Sequence, residues 1–186
     1  MLIFEQVTNN TWSEFQKDIL FSERVFPKNI QTTSQEYLEI LQGEKDGEQG
    51  IGLVLYSDGK YVGNIIGALL QDDEIKQSGI ETPDHYKSIF YIFNFIVEAE
   101  FQGKGYGQQL INKFINFISE YYCEERNVAV DAIAGHFKKN GSLHIINKLG
   151  AVEVKQYNNW EDTGDEYVLC VLDYDKIFVQ VRSISS

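Results

Sequence analysis

The residues with the clearest chemistry are three glycines at alternate positions, Gly103, Gly105 and Gly107, in the run Gln102-Gly103-Lys104-Gly105-Tyr106-Gly107. An apolar strand pattern, Ile89 to Val97, leads into them. An amphipathic helix pattern follows directly, with Leu110, Ile111, Phe114, Phe117, Ile118 and Tyr121 on one side. Glycines at such a junction let the backbone approach a ligand and aim unpaired N–H groups at it. The positive end of the helix adds to that field. The turn is therefore an anion site, and a pyrophosphate is its natural guest. A dinucleotide fingerprint needs G-x-G-x-x-G at the start of a βαβ unit, and a Walker loop needs G-x-x-x-x-G-K-[ST]. The spacing here is neither; it fits Q/R-x-x-G-x-G/A.

With its lead-in, Val97-Glu98-Ala99-Glu100-Phe101-Gln102-Gly103-Lys104-Gly105, this segment resembles the coenzyme A loop of the GNAT N-acetyltransferase superfamily. The family's common run is V-x-P-E-Y-R-G-K-G, so Ala99 replaces the Pro and Gln102 the Arg. The resemblance implies acetyl-CoA as cosubstrate, a primary amine as acceptor, and direct attack in a ternary complex. It implies that the fourth strand splays from the fifth. The backbone of Phe95, Ile96 and Val97 would then bind the pantetheine arm and polarise the thioester carbonyl. The pyrophosphate would rest on the amides of Gln102, Gly103, Lys104, Gly105, Tyr106 and Gly107.

The catalytic side chains depart from the family pattern. In histone-type members a Glu lies six residues before the motif Val, and here that position is Tyr91. Tyr91 either orders a proton relay or is a core aromatic. Glu100 matches a common loop residue and reads as structural. The later family pattern, N-x-x-A-x-x-x-Y-x-x-x-G-F, is matched only by Asn140 and Gly150, one residue too close, with Ala151 for Phe. Asn140 joins the cofactor-binding candidates. The Tyr position falls on Ile146 or Asn147, neither an acid. His144, on the same helix, is the candidate acid or a surface histidine. A thiolate can also leave unprotonated. A non-catalytic coenzyme A-binding module is the alternative, and transfer of a longer acyl group, from the aromatic run Phe90 to Phe95, is a third reading.

Composition bounds these readings. The chain has 186 residues, 43% hydrophobic and 13% aromatic, enough for one domain with a sizeable core. No apolar run approaches the roughly 18 residues of a membrane span, and Met1-Leu2-Ile3-Phe4-Glu5 reads as a first strand rather than a leader, so a cytoplasmic location is expected. Cys123 and Cys170 then read as two thiols rather than a disulfide. His85, His136 and His144 show no metal-ligand spacing with Cys or carboxylates, so no metal is expected. A net charge of −12 disfavours nucleic acid. It favours cationic partners, or serves only solubility. A cationic small molecule or a basic N-terminus is the expected acceptor, with the chain a monomer or homodimer.

The elements that must position this chemistry follow from pattern. Residues 2–8 read as a strand. Thr11 caps a helix in a capping box with Glu14, placing Trp12, Phe15, Ile19 and Leu20 on one face. Ser34 opens a second helix, with Tyr37, Leu38 and Leu41 inward, ending at Gly43. Ile51 to Tyr56 and Tyr61 to Leu70 form a hairpin across Asp58-Gly59. Gly63 and Gly67 mark a bulge or a close backbone approach. Residues 71–88 are an acidic insertion carrying Asp72, Asp73, Glu74, Glu81 and Asp84, either a lid and acceptor wall or inert. Ile89 to Val97 reads as a central strand buried on both faces. Val128 to Ala134 is a strand, Asn140 or Ser142 opens a helix with Leu143, Ile146 and Leu149 that Gly150 closes, and Ala151 to Tyr157 and Tyr167 to Leu172 are the last strands. The order is β-α-α-β-β-β-α-β-α-β-β: a mixed α/β (α+β), mostly antiparallel sheet of about seven strands with about four helices, GNAT-like over residues 1–174. Residues 175–186 are a tail whose Ile177, Phe178, Val179 and Val181 add an edge strand, a dimer contact or core packing.

Overall fold

The computed structural model of the protein describes residues 1–24, 26–43, 49–71, 75–76, 85–139 and 141–185. The strands are β1 (Leu2–Val7), β2 (Ile51–Ser57), β3 (Lys60–Gln71), β4 (Ser88–Val97), β5 (Ala132–Lys138), β6 (Val152–Tyr157) and β7 (Tyr167–Asp173). The helices among the described residues are α1 (Trp12–Glu23), α2 (Ser34–Gln42), α3 (Tyr106–Ile118), α4 (Ser142–Lys148) and α5 (Tyr174–Ser185). One seven-stranded sheet holds them, in the order β1-β2-β3-β4-β5-β7-β6. Strands β4 and β5 run parallel, and every other neighbouring pair is antiparallel. This is the expected mixed, mostly antiparallel architecture.

Helices cover both faces. On one, α3 buries Leu110, Ile111, Phe114, Ile115, Phe117 and Ile118 against Phe90 and Ile92 of β4 and Ile133 of β5. On the other, α1 and α2 bury Trp12, Ile19, Tyr37 and Leu41 against Val54 and Ile66. Residues after Asp173 are not a loose tail. They form α5, which sinks Tyr174, Ile177 and Val181 into the α3-side core, and so the fold carries one helix more than the sequence pattern gives. Three apolar residues at positions 174, 177 and 181 make a helical stripe, and the adjoining core is what settles its conformation.

Several local expectations change for identifiable reasons. Thr11 precedes α1 but caps nothing with its side chain. Its hydroxyl instead accepts from the Thr8 amide at 3.0 Å and donates to the Gln6 carbonyl at 3.1 Å, knitting the exit of β1. The capping box belongs to α2, where Thr33 and Glu36 bond each other's backbone amides. β5 begins at Ala132 rather than Val128, because its parallel partner β4 offers pairing only from Ile89 onward. After Ile118 the helix loosens into a π turn, Ser119–Glu124. That extra residue per turn rotates Tyr122, not Tyr121, into the core. Both cysteines are free thiols.

Candidate active site

Strand β4 changes partners halfway along. Its inner part pairs with both neighbours: Ile89 to Ile92 lie opposite Ala132 to Gly135 of β5. Gly67 of β3 lies opposite Ile92 and Ile66 opposite Asn94, so Phe93 is the extra residue of a β-bulge. Beyond it, Asn94 to Val97 pair with β3 alone, while β5 pairs on with β7 through Lys138. The strands part there and leave a cleft. Phe93 is 44% exposed, so this strand is not buried on both faces throughout. Gly67 permits the bulge: a Cβ on it would sit 2.4 Å from the Tyr91 carbonyl oxygen. The expectation at Gly63 and Gly67 was a bulge or a close approach, and both occur.

Phe95, Ile96 and Val97 lie on this outer segment, and the chain then turns through a short 3₁₀ stretch into the glycine run. Gly103 and Gly105 have φ of +73° and +81°, left-handed backbone that side chains disfavour. A Cβ on either would touch nothing, so conformation rather than crowding calls for glycine. Gly105 is the N-cap residue of α3, which has no side-chain cap. The first amides of α3 have no intrahelical acceptor and point out of the turn. Gln102 braces the turn by donating from Nε2 to the Val97 carbonyl at 2.9 Å. The Lys104 ammonium lies over the Phe101 ring, 5.3 Å from its centre. Tyr106 meets Phe101 edge-on, and Gly107 lets α3 close on Ile145 of α4.

On the α1 face of the cleft, Tyr91 of β4 meets His136 of β5. The Tyr91 hydroxyl and His136 Nδ1 share a hydrogen bond at 2.5 Å. Trp160, just past β6, stacks on the imidazole at 3.9 Å between ring centres and 24° between planes. Tyr157 closes a third side, edge-on to both rings. Burial, and secondarily Lys155, pushes the imidazole pKa down to about 4, so the ring is neutral at ordinary pH. Burial raises the Tyr91 phenol above its usual range. His136 Nε2 is buried and has no hydrogen-bond partner among the described residues. It is a free polar atom held in place beside the cleft. Local spacing marks His136 neither as a metal ligand nor as a base. The available signal was its parity: it sits two residues past Ala134, the register partner of Tyr91, so both point to one face.

The other sequence candidates stand apart. His144 is exposed on α4 and shares no hydrogen bond or ring contact with Tyr91. Ile146 is buried, and Asn147 donates to Glu153 at 2.9 Å. Asn140, and the insertion residues Asp72, Asp73, Glu74, Glu81 and Asp84, lie outside the described residues. An open cleft of about 420 Å³, lined by α1, Tyr61, Glu98 and Glu100, contains neither Tyr91 nor His136. Two loops meet beside Trp160: the Asn29 side-chain amide donates to the Glu161 carbonyl, joining the α1–α2 loop to the β6–β7 loop. Glu161 and Asp162 both adopt left-handed backbone there, at φ of 46° and 56°.

A split strand pair with a glycine turn and helix at its open end defines a class, and comparison with known proteins agrees. The family model for the Acetyltransferase (GNAT) family matches residues 9–137. The protein belongs to the GNAT acetyltransferase family. Its fold is similar to Arabidopsis thaliana NAA60 in complex with a bisubstrate analogue: 14% identity, TM-score 0.65, covering 93% of this chain and 98% of that one. It is similar to the ribosomal-protein-S18-alanine N-acetyltransferase of Escherichia coli at 15% identity and TM-score 0.62, covering 94% of each chain. It is also similar to an agmatine N-acetyltransferase in apo form at 9% identity and TM-score 0.67, covering 93% of this chain and all of that one (100%). No curated protein sequence matches this one. Among the described residues, no helix is long and apolar enough to cross a membrane, and no group of His, Cys, Asp and Glu is placed to hold a metal ion.

Proposed function

We propose that the protein transfers the acetyl group of acetyl-CoA to a primary amine, with Tyr91 and His136 managing the proton. The observation that carries this is the neutral, unpartnered His136 Nε2, held by Tyr91 and Trp160 beside the β4–β5 split. The backbone of Phe95, Ile96 and Val97 holds the pantetheine arm and polarises the thioester carbonyl, and the amides of Gln102 to Gly107 take the pyrophosphate.

Acylation makes an attacking nitrogen strongly acidic, so a weak base suffices to remove its last proton. A neutral imidazole fits that role and presents no positive charge to an arriving cation. If Nδ1–H donates to the Tyr91 oxygen, the lone pair lies on Nε2. The first proton of the ammonium goes to solvent before attack. No acid on α4 meets the leaving thiolate, so it departs as the anion. A non-catalytic coenzyme A-binding module is the second reading, favoured by that missing acid.

The acceptor is slender and cationic: a peptide N-terminus or a linear amine. The contact of Asn29 with Glu161 roofs the region beside Trp160 and favours a narrow guest. The acidic pair Glu161 and Asp162 lies at that roof. The names of the structural relatives, which include N-terminal acetyltransferases and an agmatine acetyltransferase, are consistent with both acceptor types. The test is thiol release from acetyl-CoA over a panel of amines and short peptides, with thermal shift as the binding control. Turnover above the solvent rate with cationic acceptors supports the enzyme reading. A thermal shift with no turnover leaves the module reading, and no shift at millimolar acetyl-CoA overturns both.

A further inference from the structure

We propose that the last turn of α1 is a proton-dependent clamp on the outer half of β4, with Glu23 and Asn94 as positioning residues for the backbone that holds the thioester. The proposal rests on the reading of Phe95 to Val97 as the acetyl-CoA strand. Those residues lack β5 on one side, so something other than the parallel ladder must set the width of the split.

Two contacts from α1 do so. Asn94, directly after the bulge, is 4% exposed, and its Nδ2 donates to Glu23 Oε1 and to Asn64 Oδ1. Asn64 in turn donates to the Tyr61 hydroxyl. One residue earlier on α1, the Ser22 hydroxyl donates to Glu98 Oε1 at 2.7 Å. The grips at Asn94 and Glu98 bracket Phe95, Ile96 and Val97. The chain leaves α1 straight into the loop that carries Asn29, so the clamp links the acceptor-side roof to the cosubstrate strand.

Glu23 is 3% exposed and has no ion pair among the described residues. The titratable groups that bear on it are Tyr37 from α2 and Tyr61 from β3; Glu98 faces Tyr61 and Ser22, and the cations Lys17 and Arg24 line the open cleft with Tyr61 and Glu98. Burial raises the carboxyl pKa to about 7, with Tyr37 and Asn94 offsetting part of the shift. Asn94 Oδ1 is buried without a hydrogen-bond partner among the described residues, an acceptor open to a protonated Glu23, while the donors that face the carboxyl are Asn94 Nδ2 and the Tyr37 hydroxyl. Protonated, Glu23 fits the chamber as a neutral group. Ionised, it needs water, which enters only if the end of α1 lifts from β4. The clamp is therefore closed below about pH 7 and loosens above it.

Two measurements on the full chain test this. The first is acetyl-CoA affinity by calorimetry between pH 6 and pH 8.5 for the wild type and Glu23→Gln. Titration of the cosubstrate's own phosphate is common to both proteins and cancels in the ratio. The wild-type Kd should weaken about fivefold more than that of the variant over this range. Equal pH dependence overturns the proposal. The second needs no variant and no ligand: amide hydrogen exchange of the segment 93–98, corrected for intrinsic rates. Faster exchange above pH 7, abolished in Glu23→Gln, supports the clamp, and pH-independent protection overturns it. If acetyl-CoA fails to bind either protein, the acetyltransferase reading fails, and the exchange result still decides the clamp.

Discussion

The two walls of the cleft are built in opposite ways. The wall at the glycine turn is main chain: left-handed Gly103 and Gly105, the open first turn of α3, and the unpaired edge of β4. The wall at Tyr91 and His136 is side chain, drawn from β4, β5 and the loop after β6. The first comes from one contiguous stretch of about a dozen residues. The second joins positions 91, 136 and 160. A backbone wall tolerates changes of side chain wherever the dihedral angles survive, whereas a side-chain wall fails with one substitution. Binding and turnover should therefore be separable by mutation.

The largest effect should come from Gly105→Glu. It places a side chain at φ +81° and a negative charge in the proposed anion site. Acetyl-CoA binding should fall by more than about a hundredfold, with the thermal shift lost. If affinity survives, the pyrophosphate does not sit on this turn and the backbone wall is misplaced. Next in size is His136→Ala, expected to lower kcat about a hundredfold, at the lower end for lost acid–base catalysis, with acetyl-CoA affinity unchanged. A change in affinity with kcat preserved would make the pair a packing feature.

Tyr91→Phe should cost about tenfold in kcat, because it removes the hydrogen bond that fixes the imidazole but leaves the ring. The pH profile sharpens the same contrast. With His136 pushed down to about 4, no titration of this ring falls between pH 6 and pH 9. An exposed amine with a pKa near 10 is about 0.1% free at neutral pH. With a linear amine as subsaturating acceptor, saturating acetyl-CoA, and Glu23→Gln to remove the clamp's titration, the log rate should thus rise across that window with a slope near one. A plateau near pH 7 would point to a different base.

The smallest effect concerns stability. Glu23 has a folded pKa of about 7 against a reference of 4.5. Its contribution is fully present below about 4.5 and is lost as pH rises through about 7. Glu23→Gln should raise Tm at pH 8.5 by roughly 3–10 °C, on the order of 1–3 kcal/mol, and leave it unchanged near pH 4. A gain of equal size at both pH values would assign the effect to packing.

What the residues settled alone was local or periodic. The strand, turn and helix around Gly103 to Gly107 were legible because the φ requirement, the apolar run and the helical stripe all lie within one short window. The Asp58-Gly59 hairpin was legible for the same reason. Most strands and helices followed from period, and the errors fell where a partner decides. β5 starts where β4 can pair with it, Tyr122 replaces Tyr121 because the helix widens by one residue, and residues 174–185 became a helix because the α3-side core received their stripe. The His136 site needed the tertiary structure altogether. Its members are separated by 45 residues between Tyr91 and His136, and only the parallel β4–β5 register brings them to one face. The same holds for Glu23, a carboxylate at the end of α1. Only the folding of α1 against the bulge in β4 removes its water, and burial is a property of the assembled molecule that no neighbouring residue encodes.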